Sequence, residues 1–174
     1  MNAATASRSA GKAGLALLIS VAAAVVVLDQ VTKIIVQRLF FLGESIPVID
    51  GFFNLTYVRN SGAAFSFLAS GDPAWVIPFF TIITLVVAVG IVYYYRKTDP
   101  AQRLHRWGFS LVLGGAVGNL IDRLLHQSVV DFLDFYAGAY HWPAFNVADS
   151  AITTGVGLIL LEMLWAGKSG KVSG

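Results

Sequence analysis

The sequence predicts a membrane protein that is mainly α-helical, with four transmembrane helices and a small β-element outside the membrane. Hydrophobic residues make up 56% of its 174 positions and charged residues only 13%, whereas soluble domains average about 45–50% and about 25%. The mean hydropathy of +0.70 indicates the same environment. Four apolar stretches are each long enough to cross the roughly 30 Å hydrocarbon core of a bilayer.

The composition also excludes several kinds of site. The chain contains no cysteine, which removes disulfides, thiolate metal ligands and cysteine nucleophiles. The net charge is only +2, and no run of basic and aromatic residues indicates nucleic-acid binding. His105, His126 and His141 are scattered along the chain rather than clustered with acids, so we expect neither a bound metal nor another cofactor.

The first transmembrane helix is predicted at about residues 14–40. Residues 1–13 are small, polar and basic, and we expect them to form a disordered cytoplasmic tail. A basic stretch before an apolar run is also typical of a cleaved signal peptide, here with residues 22–24 as the cleavage site. The helical pattern continues through these alanines and further spans follow, so a transmembrane helix is the better interpretation.

The outer half of this helix carries polar residues on one face. Asp29, Lys33 and Gln37 recur at intervals of four residues, which places them on the same side of a helix. We predict that Asp29 and Lys33 form an ion pair directed into the bundle, with a structural rather than a catalytic role. The alternative is a lysine at the membrane interface that extends its ammonium group to water.

Residues 41–72 contain short aromatic and β-branched stretches between turn residues, a pattern typical of strands. Residues 52–58 form one such stretch and residues 63–68 another, with residues 59–62 as the turn between them. We expect a small β-element whose exposed phenylalanines form a surface at the lipid headgroups. An ordinary connecting hairpin explains the pattern equally well, because periodicity cannot settle short apolar runs.

Three further membrane spans follow the β-element. The remaining segments are predicted as spans at about 74–96, 104–126 and 143–166, a second outer loop at 127–142 and a cytoplasmic tail at 167–174. Gly114 and Gly118 of the third span form a G-x-x-x-G pair that allows another helix to approach closely. Pro143 suits the first turn of the fourth helix.

The distribution of basic residues predicts the orientation in the membrane. Eight of the twelve lysines and arginines lie on the side of the two termini and four lie on the opposite side. Since cytoplasmic loops carry the excess of positive charge, we expect both termini in the cytoplasm. Asp149 then lies near the outer surface, and Glu162 lies near the inner end of the fourth span, where we expect a packing or snorkelling role.

Polar side chains cluster at the outer ends of the third and fourth spans. On the third span, Asn119, Asp122 and Arg123 are spaced so that they can share one helix face. On the fourth span, Asn146 lies about one turn before Asp149. Ionisable residues at membrane depth are costly and usually functional, although a hydrogen-bond network that only stabilises the bundle is the alternative.

Two carboxyl groups in one apolar pocket can share a proton, as in aspartic peptidases. The second outer loop supplies Asp131 and Asp134, which share a face in a helix but lie on opposite faces in a strand. Asp122 is a third candidate, although the neighbouring Arg123 favours a permanently ionised, salt-bridged role. Spacing alone therefore does not decide which acid pairs with Asp149.

Five short blocks of the sequence resemble the signature blocks of bacterial lipoprotein signal peptidase, also called signal peptidase II. They are LDQVTK at 28–33, RNSGAAF at 59–65, GGAVGNLIDR at 114–123, VVDF at 129–132 and FNVADS at 145–150. The blocks stand in the family order and cover the chain from about residue 28 to 153. Each block alone is a weak signal, whereas five in order are a specific one.

The resemblance implies that Asp131 and Asp149 are the catalytic aspartates of an intramembrane aspartic endopeptidase. It implies a four-helix membrane domain with a small periplasmic β-cradle and a second periplasmic loop or helix over the active site. The implied substrate is a prolipoprotein with a diacylglyceryl-modified lipobox cysteine, cut on the amino side of that cysteine. The candidates to bind substrate or orient the aspartates are Asn60, Asn119, Arg123 and Asn146, and those for structural polar support are Asp29, Lys33 and Asp122.

The expected partners are the prolipoprotein substrates and the phospholipid bilayer, and we expect a monomer. The expected location is the bacterial inner membrane, with the active site near the periplasmic face. The same acids would also suit an ion- or proton-coupled transporter, and the phenylalanine-rich hairpin a lipid-binding assembly factor. Four spans, no internal repeat and acids gathered at one surface argue against a complete transport pathway.

Overall fold

The structure is a computed structural model that describes residues 3–62 and 73–169. Its helices are α1 Ala3–Leu39, α2 Pro73–Lys97, α3 Arg103–His126 and α4 Val147–Ser169. Its strands are β1 Ser45–Ile49, β2 Phe53–Asn60, β3 Val129–Ala137 and β4 Tyr140–His141. The stretches long and apolar enough to cross a membrane are Gly14–Leu39, Trp75–Lys97, Arg103–His126 and Val147–Trp165. The prediction of four helical spans and a small sheet is therefore confirmed.

The first helix begins earlier than predicted. Residues 3–13, expected to form a disordered tail, continue α1 as helix. Five of the first thirteen residues are alanine, the residue with the highest helix propensity, and the adjoining span supplies a formed helix that they extend. At the other end of the chain, α4 runs through Ser169. It thus takes in the start of the tail predicted at 167–174, and residues 170–174 lie outside the described part.

Glycines allow α1 and α4 to pack closely on either side of α3, the central helix of the bundle. A Cβ atom on Gly118 of α3 would lie 2.7 Å from Asp29 Oδ2 of α1, and one on Gly114 2.7 Å from another α1 side chain. Gly108 of α3 and Gly155 of α4 face each other, and a Cβ atom on either would lie 2.6 Å from the carbonyl oxygen of the other. The small face predicted on the third span is an interhelical contact.

The four strands form a sheet with the order β1-β2-β3-β4, and every pairing is antiparallel. The β1–β2 hairpin turns at Asp50-Gly51, and Gly51 has φ +77°, a conformation that favours glycine. The turn that we predicted at 59–62 begins later, because Arg59 and Asn60 still belong to β2 and pair with β3. The strand predicted at 63–68 lies outside the described residues.

The second outer segment, predicted at 127–142 as a loop or helix, instead contains two strands of the same sheet, β3 and β4. β3 pairs with β2, with Asp131 opposite Val58. The apolar residues of VVDFLDF are β-branched or aromatic apart from one leucine, a composition that suits a strand with one face against a core. Val130 and Phe132 are buried against α1, and the alternation of the strand turns Asp131 to the other face.

The fourth helix begins at Val147, four residues after the start that we predicted at Pro143. The side-chain oxygen of Asn146 accepts a hydrogen bond from the backbone N–H of Asp149 at 2.9 Å, which is the geometry of a helix N-cap. Pro143 belongs to an extended segment in which Phe145 pairs with β3. The cap places Asp149 in the first turn of α4.

Glu162 of α4 contacts the first turn of α3. Its Oε2 accepts a hydrogen bond from the backbone N–H of His105 at 2.6 Å and lies 2.7 Å from Nδ1 of the same residue. A carboxylate at a helix N-terminus satisfies a backbone donor and stabilises the positive end of the helix dipole. Glu162 therefore caps α3, a more specific role than the packing or snorkelling that we predicted.

Candidate active site

Asn146 connects the two acids that the resemblance singles out. Its Nδ2 donates to Asp131 Oδ1 at 2.7 Å, and its Oδ1 accepts from the backbone N–H of Asp149 at 2.9 Å. Asp131 comes from β3 and Asp149 from the first turn of α4. The two carboxyl groups are close enough for the charge of Asp149 to act on Asp131. The structure thus brings together two acids that are separated by a strand, a hairpin and a helix N-cap.

Two further asparagines hold the carboxyl groups, one for each aspartate. Asn60 Nδ2, at the end of β2, donates to Asp131 Oδ2 at 3.0 Å. Asn119 Nδ2, on α3, donates to Asp149 Oδ1 at 2.7 Å. Asn119 Oδ1 in turn accepts from Asn146 Nδ2 at 3.2 Å. The amides therefore fix the orientation of both carboxyl groups from three different elements.

The two aspartates differ in their accessibility. Asp131 is only 2% exposed, and both of its oxygens accept amide hydrogen bonds. Asp149 is half-buried, and its Oδ2 has no hydrogen-bond partner within the described part of the chain. Asp149 is therefore the more exposed of the two aspartates.

The environment of Asp131 favours a protonated carboxyl group. Burial raises its pKa to about 6, and the charge of Asp149 acts in the same direction. Hydrogen bonds from Asn60 and Asn146 and the charge of Lys33 oppose this increase. Burial has the largest effect because it removes water from the charged form. Asp131 therefore holds its proton to a higher pH than an ordinary aspartate does.

Arg123 lies beside the site, one helical turn beyond Asn119 on α3. Its Nη1 donates to the carbonyl oxygen of Asn119 at 3.3 Å, and its Cζ lies 4.0 Å from the centre of the Phe80 ring of α2. The guanidinium attracts the two carboxyl groups of the site and that of Asp122. The aromatic ring and the carbonyl oxygen together hold this cation next to the aspartates.

The strand geometry separates Asp134 from the pair. Its Oδ2 accepts from Asn54 Nδ2 at 2.9 Å, and its Oδ1 lies 2.8 Å from His141 Nδ1. These partners belong to β2 and β4, on the face of β3 opposite to Asp131. Of the two acids of VVDFLDF, only Asp131 lies beside Asp149.

Asp29, Lys33 and Asp122, which we name the support triad, form a buried cluster next to the aspartates. Lys33 is 1% exposed, and its Nζ lies 2.8 Å from Asp29 Oδ2 and 3.0 Å from Asp122 Oδ2. The predicted pair of Asp29 and Lys33 is confirmed, and its lysine does not reach water. Asp122 is salt-bridged as predicted, but its partner is Lys33 instead of Arg123.

Gln30 belongs to the same cluster, although the spacing of polar residues did not single it out. Its Nε2 donates to Asp122 Oδ1 at 2.9 Å and lies 3.2 Å from Asp29 Oδ2. The signal that could have found it is an amide within a membrane span, directly after an acid, because a polar side chain at that depth needs a partner. Among the residues that the structure describes, no group of three histidine or acidic side chains could hold a metal ion.

Fold and site together define a class: a membrane protein with four spans that holds two interacting carboxyl groups at one end of its bundle, an arrangement suited to acid–base chemistry. Comparison with known protein families identifies the family to which the chain belongs. The family model described as signal peptidase (SPase) II matches residues 21–165. The chain therefore belongs to the signal peptidase II family and is a membrane-embedded peptidase.

Similar proteins of bacteria carry the name lipoprotein signal peptidase. The one from Syntrophotalea carbinolica is 52% identical over 145 residues, which cover 83% of this chain and 89% of the relative. The one from Cupriavidus necator is 57% identical over 141 residues, covering 80% and 78%. A solved structure described as a bacterial membrane enzyme, determined by the in meso method, has a TM-score of 0.77 at 39% identity and covers 87% of this chain and 90% of its own.

Proposed function

We propose that the protein is an intramembrane aspartic endopeptidase that removes signal peptides from diacylglyceryl-modified prolipoproteins. It cuts on the amino side of the lipidated lipobox cysteine. The observation that carries the proposal is the contact of Asn146 with both acids, 2.7 Å to the carboxyl group of Asp131 and 2.9 Å to the backbone of Asp149. The names of the relatives support the substrate class.

The proposed reaction uses the two aspartates as a pair that shares one proton. The ionised aspartate takes a proton from water while the protonated one polarises the scissile carbonyl group. The resulting diol collapses after a proton passes to the leaving amine, so that no covalent intermediate forms. Because one proton serves both groups, the apparent pKa values belong to the pair.

Asp131 is the better candidate for the group that holds the proton at rest. Its burial raises its pKa to about 6. Asp149 lies in the first turn of α4, where the helix dipole favours a negative charge, and it is the more exposed of the two aspartates. We therefore assign general-base activation of water to Asp149 and polarisation of the carbonyl group to Asp131.

The neighbouring polar residues have proposed roles that follow from their contacts. Asn60, Asn119 and Asn146 orient the carboxyl groups, because each donates an amide hydrogen bond to one of them. Arg123 adds a positive charge beside the pair, suited to the oxyanion character that develops on the substrate carbonyl group. The support triad holds the surrounding backbone.

The proposed orientation has both termini in the cytoplasm and the active site near the periplasmic face of the bacterial inner membrane. The excess of lysine and arginine on the side of the termini supports this orientation. The aspartates lie at the end of the bundle that adjoins the sheet. There, a lipid-anchored peptide in the outer leaflet and a water molecule can both reach them.

The decisive experiment measures cleavage of a diacylglyceryl-modified lipobox peptide by purified wild-type protein, Asp131→Asn and Asp149→Asn. We expect cleavage by the wild type and a loss of at least about a hundredfold in either variant. Both variants should remain folded, as judged by their unfolding temperatures. Full activity of either variant would contradict the proposed pair.

Asp134→Asn is the matched control, since it removes an acid of the same strand from the opposite face. It should retain most of the activity, and its complete inactivation would show that Asp134 is the acid required from this strand. A peptide of the same sequence with an unmodified cysteine tests the substrate class. Cleavage of both peptides at equal rates would contradict recognition of the lipid.

A further inference from the structure

Each acid of the support triad holds the backbone of the residue that directly precedes one of the two aspartates. The two hydrogen bonds run from the Val130 N–H to Asp122 Oδ2, at 3.0 Å, and from the Ala148 N–H to Asp29 Oδ1, at 2.9 Å. Lys33 contacts both acids, and Gln30 joins them a second time. The strand that carries Asp131 and the helix that carries Asp149 are therefore tied to a single ammonium group.

Lys33 also reaches the site through a side chain. Its Nζ donates to Asn119 Oδ1 at 3.0 Å, and Asn119 Nδ2 donates to Asp149 Oδ1 at 2.7 Å. This contact fixes which end of the Asn119 amide faces the carboxyl group, because an ammonium group can only donate. The orientation of the amide donor to Asp149 thus depends on Lys33.

Stability alone does not account for three ionised side chains in this position. Asp29 is 0% exposed, Lys33 1% and Asp122 2%. Charges of this kind lose their hydration, and apolar residues of the same volume usually stabilise an interior as well or better. What apolar residues cannot supply is a set of directional contacts between α1, α3, β3 and α4.

We propose that Lys33 is a positioning residue that sets the separation and the charge balance of Asp131 and Asp149 through the support triad. The inference rests on the proposed function, since it assumes that these two aspartates react. Without the ammonium group, the two acids of the triad repel each other. The two backbone segments that they hold are then no longer fixed at one distance.

The support triad acts on the aspartates through its charge as well as through its geometry. Among the described residues, the charged groups around the pair are Lys33 from α1 and Arg123 from α3, together with Asp29 and Asp122, which contact Lys33. Lys33 lowers the pKa of Asp131, against the larger upward effect of burial. Removal of this cation should keep the shared proton on the pair to a higher pH. Removal of a negative charge from the triad should release the proton at a lower pH.

The test compares the pH dependence of kcat/KM for the wild type, Lys33→Met and Asp122→Asn, with the diacylglyceryl-modified peptide as substrate. The falling limb of the profile should move up by about 0.5 pH unit or more in Lys33→Met and down by a similar amount in Asp122→Asn. We expect kcat to fall about tenfold or more in Lys33→Met, with KM changed by less than about threefold. Asn keeps an oxygen for the Val130 N–H, so Asp122→Asn should fold.

Glu162→Gln is the control, because it alters a polar contact between α3 and α4 at the opposite end of these helices. It should leave the limb at the wild-type pH. The proposal is overturned if the falling limb of the pH profile stays at the wild-type pH in both Lys33→Met and Asp122→Asn, even if activity falls. It is also overturned if the limb moves in the same direction in both variants. If Lys33→Met does not fold, the falling limbs of Asp122→Asn and Asp29→Asn test the proposal instead. Both should move to lower pH, and a shift of either limb to higher pH, or no shift, would overturn it. Activity in Asp131→Asn or Asp149→Asn would contradict the proposed function instead.

Discussion

At the scale of single residues, the site is organised by asparagines. Asn60, Asn119 and Asn146 each donate to an aspartate, and each comes from a different part of the fold. A neutral amide can orient a carboxyl group without the full charge that would hold it ionised. This suits the proposed pair, which would keep one proton and exchange it during each turnover.

The pKa of Asp131 leads to a prediction for the pH dependence of activity. Burial raises this pKa to about 6, so the carboxyl group is protonated below that pH and loses its proton above it. If the pair must carry one proton, kcat/KM should fall as the pH rises through an apparent pKa of about 6 or higher. Cleavage rates between about pH 5 and about pH 9 would show the fall, whereas a flat profile would contradict it.

Asn146 allows its two contacts to be separated by substitution. Asn146→Asp keeps the oxygen that caps α4 and removes the amide that donates to Asp131, so kcat should fall about tenfold or more. Asn146→Ala also removes the cap and should lower the free energy of unfolding by a further ~1 kcal/mol. The measurements are kcat and the unfolding temperature of each variant. Wild-type kcat in Asn146→Asp would show that the amide donor is not needed.

At the scale of elements, the position of Asp149 depends on how closely α4 approaches α3. Gly108, near the N-terminus of α3, faces Gly155 of α4 in this contact, and neither leaves room for a Cβ atom. Small residues let two helix backbones pack directly, which is how helices associate where lipid is the solvent. The glycines therefore determine the register in which the first turn of α4 meets Asn119.

Gly155→Ala should destabilise the protein by about 1–3 kcal/mol, because its Cβ would lie 2.6 Å from the carbonyl oxygen of Gly108. Gly157→Ala is the matched control on the same helix, since its Cβ would meet nothing within 4 Å. The control should be neutral or slightly stabilising, as alanine favours helix more than glycine does. Unfolding temperatures in detergent check both. Equal effects of the two substitutions would contradict this packing.

The same scale shows what could be predicted from the sequence. The four spans could be predicted, because hydrophobicity over about 20 residues is a strong and local signal. The choice between Asp131 and Asp134 could not be made from spacing, since it depends on whether VVDFLDF is a helix or a strand. The sequence of a short apolar run does not distinguish a helix from a strand. The pairing of this segment with β2 shows that it is a strand. In the sequence, it is the resemblance to signal peptidase II that indicates Asp131 rather than Asp134.

The prediction that α4 starts at Pro143 was wrong for a related reason. Both Pro143 and Asn146 are good residues for the beginning of a helix, the first inside it and the second as its cap. The tertiary contact of the intervening segment with β3 selects the later start. Gln30 was missed because its partner Asp122 is on α3, and no local spacing reveals a partner on another helix.

At the scale of the whole molecule, the sheet and the bundle share one boundary, and the site lies on it. The C-terminal end of α1 packs through Val36 against Tyr57 of β2 and Val130 of β3. The same helix supplies Asp29 and Lys33 to the site. One long helix therefore positions both the strand and the helix that carry the aspartates, and this explains how acids from two separate segments meet.

The absence of cysteine from the sequence makes the orientation testable with single-cysteine variants. Tyr140→Cys replaces an exposed residue of β4, and Asp99→Cys replaces an exposed residue between α2 and α3. A membrane-impermeant thiol reagent added from the periplasmic side should label the first variant and leave the second unlabelled. The opposite pattern would invert the proposed topology.

The central claim is that Asp131 and Asp149 act as one unit, and a double-substitution cycle tests it most directly. Single-turnover cleavage of the diacylglyceryl-modified peptide would be measured for Asp131→Asn, Asp149→Asn and the double variant. Groups that act together lose their effect together, so the account predicts the same large loss in all three proteins. A single variant that retains most of the wild-type rate, or losses that multiply in the double variant, would contradict it.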